Sequence, residues 1–219
     1  MRVGQRRSRQ RGNRQSDHPT RGIIIAAAAD ILKTGGVAQF HVDDVLAATG
    51  LTRGAVYHHF DGVEDLIEAA LLATYAEGIS ANVALISELM ATADTFDGFC
   101  NGVLAANVAY AQNESLRAVR ALRAHAMAMT VSASAMAAQL AAEQQRLTDA
   151  YVSMITQAQQ RGWVKQSLKP DALAVFIQAY SFGAIIDDVS AEHIGAEAWA
   201  EIIADFFVNC VFDGTADPA

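Results

Sequence analysis

Apolar residues recur along this chain at intervals of three and four, the spacing of one face of an α-helix. Ile24, Ala27, Ala28 and Ile31 form such a stripe in a first helix from Thr20 to about Lys33, which Gly35-Gly36 ends. A second, short amphipathic helix is predicted over Val42 to Thr49. Gly50 stops it, and Thr52 stands as an N-cap residue before a third helix of about two turns. Leu51, Val56 and Phe60 fall on one side of that third helix. With Phe40, Val45 and Leu46 they supply the core of a three-helix unit. A fourth helix starts near Val63, with Leu66, Ala69, Ala70, Leu72 and Ala73 on its apolar face. It either ends at Gly78 or resumes through Val83-Ala84-Leu85-Ile86.

Residues 94–130 read as two helices broken at Gln112-Asn113-Glu114. The first carries Phe96, Phe99, Cys100, Val103, Leu104 and Tyr110 on a stripe that also contains Asn107. The second carries Arg117, Arg120 and Arg123 in a row, a solvated or salt-bridged face, with an anchor for an acidic ligand as the alternative. The longest helical pattern covers 132–161 and ends at Arg161-Gly162-Trp163, after which Trp163-Val164 is expected to fold back on the core. Lys169-Pro170-Asp171 opens another helix, with Pro170 near its first turn. Residues 171–189 are apolar on two sides, and residues 196–212 carry a wide apolar stripe. A helix apolar on two sides must be covered on two sides. A two-fold dimer pairing these last two helices into a four-helix bundle would cover them. Phe176, Tyr180, Trp199, Ile203, Phe206 and Phe207 are the expected interface, and packing within one chain is the alternative.

Composition supports an all-α protein: 52% of the 219 residues are hydrophobic, with only three prolines, and no alternating run reads as a strand. No apolar run is expected to approach the roughly 20 residues of a membrane span. The N-terminus lacks the apolar core of a secretory signal. Cys100 and Cys210 fit no metal spacing and read as buried, reduced thiols of a cytoplasmic protein. The net charge of −8 argues at first against nucleic acid, but its distribution reverses that. Met1 to Arg21 holds seven arginines against Asp17 alone, a net +6, so the remainder carries −14. Residues 1–19 are therefore expected to be a disordered basic arm that DNA orders, lying along or in a minor groove.

The outer face of the third helix carries the most specific chemistry. Two short helices joined by a tight glycine-containing turn make a helix-turn-helix, with the second as reader. Arg53 is placed for a bidentate contact with guanine and Ala55 for a thymine methyl. Gly54 lets the backbone approach base edges. Thr52, Tyr57 and His59 suit phosphates and fix register. His58 of the same face, His41 before the second helix, and Arg11 and Arg14 of the arm complete the expected contact set.

The run from Thr20 to about Leu72 resembles the DNA-binding domain of TetR-family transcriptional repressors. The likeness rests on Ala26-Ala27-Ala28, Ile31-Leu32, Gly35-Gly36, Phe40, Val42 to Ala47, Gly50 to Phe60 and Glu64-Asp65-Leu66, about a quarter of the chain. One position departs: the family often has a basic residue three places after the final Phe of the reading helix, near a phosphate, and here it is Val63. The resemblance implies an N-terminal three-helix DNA-binding domain over 20–66 and a larger helical ligand-binding and dimerisation domain over 67–213. It also implies that ligand binding moves the fourth helix, changes the spacing of the reading helices and lowers DNA affinity.

The second domain is large, apolar and rich in Ala and Met, the kind of helical interior that encloses a ligand cavity. Asn107, Tyr110, His125, Met129, Tyr151, Gln178 and Phe182 are the polar and aromatic residues expected to line it. The expected partners are a near-palindromic double-stranded operator, a small apolar effector and a second copy of the chain, with no membrane and no cofactor. A ligand-independent architectural DNA protein is the alternative. His41, His58, His59, Cys100 and the carboxylates form no catalytic or metal-binding pattern, and no Gly-rich phosphate loop is present, so no catalytic or metal residues are expected.

Overall fold

Two glycines in the left-handed region cut the N-terminal part of the chain into helices. Gly36 and Gly50 both sit at φ 68°, where a Cβ is disfavoured. Each donates its N–H to the helix before it, Gly36 to the Leu32 carbonyl and Gly50 to the Leu46 carbonyl, both at 2.9 Å. Helix α1 (Pro19–Gly35) ends at the first and α2 (Val42–Thr49) at the second, with a single 3₁₀ turn, Val37–Gln39, between them. The computed structural model describes residues 19–112, 115–129 and 134–213. The basic arm, including Arg11 and Arg14, lies outside the described residues.

Helix α3 (Arg53–His59) starts where Thr52 is extended and its Oγ1 accepts the Ala55 N–H at 3.2 Å. Such a cap is worth about 1 kcal/mol. Ile24, Ala28, Leu32, Phe40, Val45, Val56, Phe60 and Leu66 pack together in the core. The buried stripe of α1 is shifted from the expected one: Leu32 and Ala29 are buried, while Ala27 and Ile31 are half-buried. Leu46 and Leu51 also stay half-buried at the margin of this core.

Helix α4 (Val63–Thr92) runs through Gly78 without a break for 30 residues. It crosses the expected domain boundary at residue 66, so the two halves of the chain share it. By length and composition it would also be apolar enough to cross a membrane, although Glu68 and Glu77 interrupt its apolar residues. Its apolar surface is instead used inside the protein, where α1, α6 (Ser115–Met129) and α7 (Ser134–Gln160) pack on it. Helix α5 (Phe96–Gln112) packs on α10 (Ala196–Phe206), and α8 (Pro170–Gly183) packs on α7. The helix expected over 171–189 is interrupted after Gly183, and a short α9 (Ile185–Asp188) follows. Helix α10 passes into a π-helical turn, Phe207–Val211.

The expected fold-back at Trp163 forms. Val164 makes an isolated antiparallel bridge with Phe212, and Asp213 donates to the Trp163 carbonyl at 2.9 Å. Trp163 stacks on Phe99 at 5.4 Å, and Phe212 meets Phe99 at 5.9 Å, closing the end of the bundle. No strand occurs among the described residues, so the chain is all-α, with an N-terminal helix-turn-helix unit and a larger helical domain. The cysteines differ from expectation: Cys100 is half-buried and Cys210 is exposed.

Candidate DNA-reading face and ligand cavity

Helix α3 buries Val56, and Phe60 just beyond it, and turns its other side outward. Thr52, Arg53, Gly54, Tyr57 and His58 are exposed, while Ala55 and His59 are half-buried. A Cβ added at Gly54 would meet nothing nearer than Thr52 Oγ1 at 4.0 Å, so the chain's own packing leaves that point of the face open. Arg53 is ion-paired with Asp43 of α2 across the turn. His41 is exposed and stands at the N-cap of α2 without a side-chain capping bond. Arg21 lies over the Phe60 ring at 4.9 Å, which anchors the start of α1 to the end of α3.

The larger domain encloses a cavity of about 300 Å³ between α4, α5, α7 and α8. Leu85, Leu89, Val103, Leu147, Met154 and Ile177 form apolar walls. Asn107, Tyr110, Tyr151 and Gln178, four of the seven residues expected at a ligand site, line it together. The other three do not. His125 is exposed on α6 and faces a groove against the end of α1, beside Leu32, Lys33 and Leu122. Met129 and Phe182 are half-buried elsewhere. Helix α6 rests on α1 as well as α4, and that second contact turns His125 away from the cavity.

Tyr180 and Phe207 were expected at a dimer interface, yet both line the cavity, and of the three arginines whose row left an acidic-ligand anchor open, Arg123 enters it from α6. Nothing in the spacing of the α6 arginines distinguishes Arg123 from Arg117 and Arg120. The Tyr180 hydroxyl donates to Asn107 Oδ1, whose Nδ2 donates to the Val103 carbonyl at 2.8 Å. The Tyr110 hydroxyl donates to the Ser181 carbonyl at 3.2 Å. Burial pushes the Tyr151 phenol up to about 12 and raises that of Tyr180 as well. Both hydroxyls keep their protons at neutral pH.

The expected dimer stripe is split. Ile203 and Phe207 are buried within the chain because α10 lies on α5, and this removes them from any outer surface. Trp199 and Phe206 are half-buried. Phe176 stays 46% exposed and meets the Phe206 ring at 5.0 Å. Val175 of α8, and Ile202 and Val208 at and beyond α10, are exposed as well.

An all-α chain with a capped helix-turn-helix head and a cavity-bearing helical body is built like a DNA-binding regulator. Residues 24–70 match the model of the bacterial regulatory proteins, tetR family. The HTH-type transcriptional regulator CymR of Pseudomonas putida is 45% identical over 56 residues, 26% of this chain and 26% of CymR. The chain spans about a quarter of the length of the curated relatives it matches. Two solved structures share the fold over most of the chain. A TetR transcriptional regulator from Chloroflexus aurantiacus superposes with TM-score 0.65 at 22% identity, over 90% of this chain and 98% of that one. A protein described as a transcriptional regulator from Saccharomonospora viridis, in complex with choline, gives TM-score 0.69 at 16% identity, over 89% and 98%. At these identities the likeness is one of fold. The likeness in sequence to the tetR family of bacterial regulatory proteins is thus confined to the N-terminal domain.

Proposed function

We propose that this protein is a cytoplasmic transcriptional repressor that binds a near-palindromic operator as a dimer and leaves it when a small effector enters the cavity. The observation that carries the reading is the outward face of α3. A capped helix presents Arg53, Gly54, Tyr57 and His58 to solvent while its opposite side is buried. An open glycine on an exposed helix allows a partner to come close, and Arg53 is of the residue type that most often reads guanine.

Charge supports a role for the arm. Residues 20–66 contain three basic and six acidic side chains, so the helix-turn-helix unit alone is net acidic. The arginines before it, Arg11 and Arg14 among them, supply the attraction to phosphate. The exposed apolar face of α8 and α10 supports a two-fold dimer around Phe176, Val175 and Ile202. Two α3 helices about 34–36 Å apart would then enter successive major grooves.

Two contacts support a route from the cavity to the reading helix. Helix α4 spans both domains, and α6 carries Arg123 into the cavity while Leu122 and Ala118 border the end of α1. An effector releases DNA only if it binds the DNA-incompetent arrangement more tightly. The Saccharomonospora neighbour holds choline, a cation, whereas the cavity here is entered by a guanidinium. A ligand-independent architectural protein would have no use for such a cavity.

The test is a mobility-shift titration of the full chain on the DNA flanking its coding region and on random duplex of equal length. Tighter binding to one flanking segment with dyad symmetry is expected. Equal binding to both, or none, overturns the reading.

A further inference from the structure

We propose that the cavity takes a small monocarboxylic acid with an apolar body, its carboxylate held by Arg123 and the Tyr151 hydroxyl. This rests on the reading of the cavity as the effector site. The three arginines of α6 have different fates. Arg117 and Arg120 both reach Asp188, and Arg120 engages it with two nitrogens. Arg120 Nη1 has no hydrogen-bond partner, but its charge is balanced by that carboxylate. Arg123 is half-buried and has no ion pair among the described residues; its guanidinium lies over the Tyr75 ring at 5.6 Å, and its Nε alone is buried without a hydrogen-bond partner.

A buried donor left without an acceptor is costly, and a buried charge without a counter-ion more so. Arg123 is the only cation among the described residues lining the cavity. The only acid is Glu88, which is exposed on α4. A neutral apolar ligand would leave the Arg123 guanidinium without a counter-ion. A cationic ligand would add like charge. A carboxylate supplies both the counter-ion and the acceptor.

The tyrosines point the same way. Tyr110 and Tyr180 already donate to protein acceptors. The Tyr151 hydroxyl makes no hydrogen bond among the described residues, and it is close enough to feel the Arg123 charge. A protonated phenol and a guanidinium thus line the same cavity, with Leu85, Leu89 and Met154 among its apolar walls. At about 300 Å³ the space is at the small end of ligand pockets, which suits a small acid.

The experiment is calorimetric titration of the full chain with octanoate and 4-methylbenzoate, their amides, and octylammonium. Both acids are expected to bind about tenfold or more tighter than their amides. Arg123→Gln should remove that preference, Arg123→Lys should keep part of it, and Tyr151→Phe should weaken acid binding several-fold. If Arg123→Gln does not fold, as judged by circular dichroism, the lysine and phenylalanine variants carry the comparison. Amides binding as well as acids, octylammonium binding better, or neither acid binding overturns the proposal. Mobility shifts without ligand report separately on the regulator reading. A chain that binds its operator but shows no acid preference sinks only the ligand assignment, and one that prefers acids without binding DNA sinks only the regulator.

Discussion

Arg120 and Asp188 form a fork-on-fork ion pair, Nε to Oδ2 at 2.5 Å and Nη2 to Oδ1 at 2.6 Å, that ties α6 to α9. Their side chains are 8% and 14% exposed, and the guanidinium lies over the Tyr110 ring at 5.6 Å. The pair therefore joins a wall of the cavity to the segment between α8 and α10. Asp188→Ala strands a buried charge and should cost about 3–5 kcal/mol. The double variant Arg120→Met with Asp188→Leu should recover most of it, because it removes both charges. Urea unfolding measures both; a single-variant loss below about 1 kcal/mol would show the pair behaving as an exposed one.

Arg53 is held by Asp43 before DNA arrives. Arg53→Ala should cost about 1–3 kcal/mol of operator binding and relax preference at one base pair per half-site. Asp43→Asn removes a negative charge from the DNA-facing side and should tighten binding to all sequences at low salt. Fluorescence anisotropy on a set of half-site variants separates the two effects. Unchanged selectivity in Arg53→Ala would remove the arginine from base reading.

The arm before α1 is expected to supply the salt dependence, since residues 20–66 are net acidic. Deleting residues 1–18 should weaken binding to every sequence and flatten the plot of log affinity against log salt. An unchanged slope would mean that the arm touches no phosphates.

Neighbouring positions on α10 should behave differently. Ile202 is 64% exposed and Ile203 is 6% exposed. Ile202→Glu should yield a folded monomer with most operator binding lost, because one half-site cannot replace two. Ile203→Glu places an unpaired charge in the core and should unfold the chain. Sedimentation with circular dichroism distinguishes them. A dimeric Ile202→Glu variant would move the interface off this face.

Stability should fall at alkaline pH. Burial raises the Tyr75 and Tyr180 phenols and lifts Tyr151 to about 12. The Cys100 thiol is raised to about 11, by burial first and then by Asp97. The folded chain holds these protons where the unfolded chain releases them, the thiol from about pH 9 and the phenols from about pH 10. Their contribution is complete below those values and declines as pH rises through the folded pKa values. The urea midpoint should drop across this range, and less steeply in Tyr151→Phe. A midpoint flat to pH 12 would contradict the burial of these groups.

The N-terminal unit was legible in the sequence because its signals are local. Gly36 and Gly50 stop helices through their own backbone freedom, and Thr52 starts one through a bond to a residue three places on. Periodicity also placed Asn107, Tyr110 and Tyr151 on apolar stripes, and these three meet Gln178 at the cavity. What it could not decide is which neighbour covers a stripe. Phe176, Tyr180, Ile203 and Phe207 looked alike along the chain. Only the packing of α10 on α5 and α8 on α7 left Phe176 outside, buried Ile203, and set Tyr180 and Phe207 against the cavity. The α6 arginines make the same point. Their three-residue spacing is uniform, yet Asp188, some 70 positions away in sequence, neutralises Arg120 and leaves Arg123 to the cavity. Helix formation depends on residues within a turn or two of one another, whereas burial and charge pairing depend on partners that only the folded chain brings near.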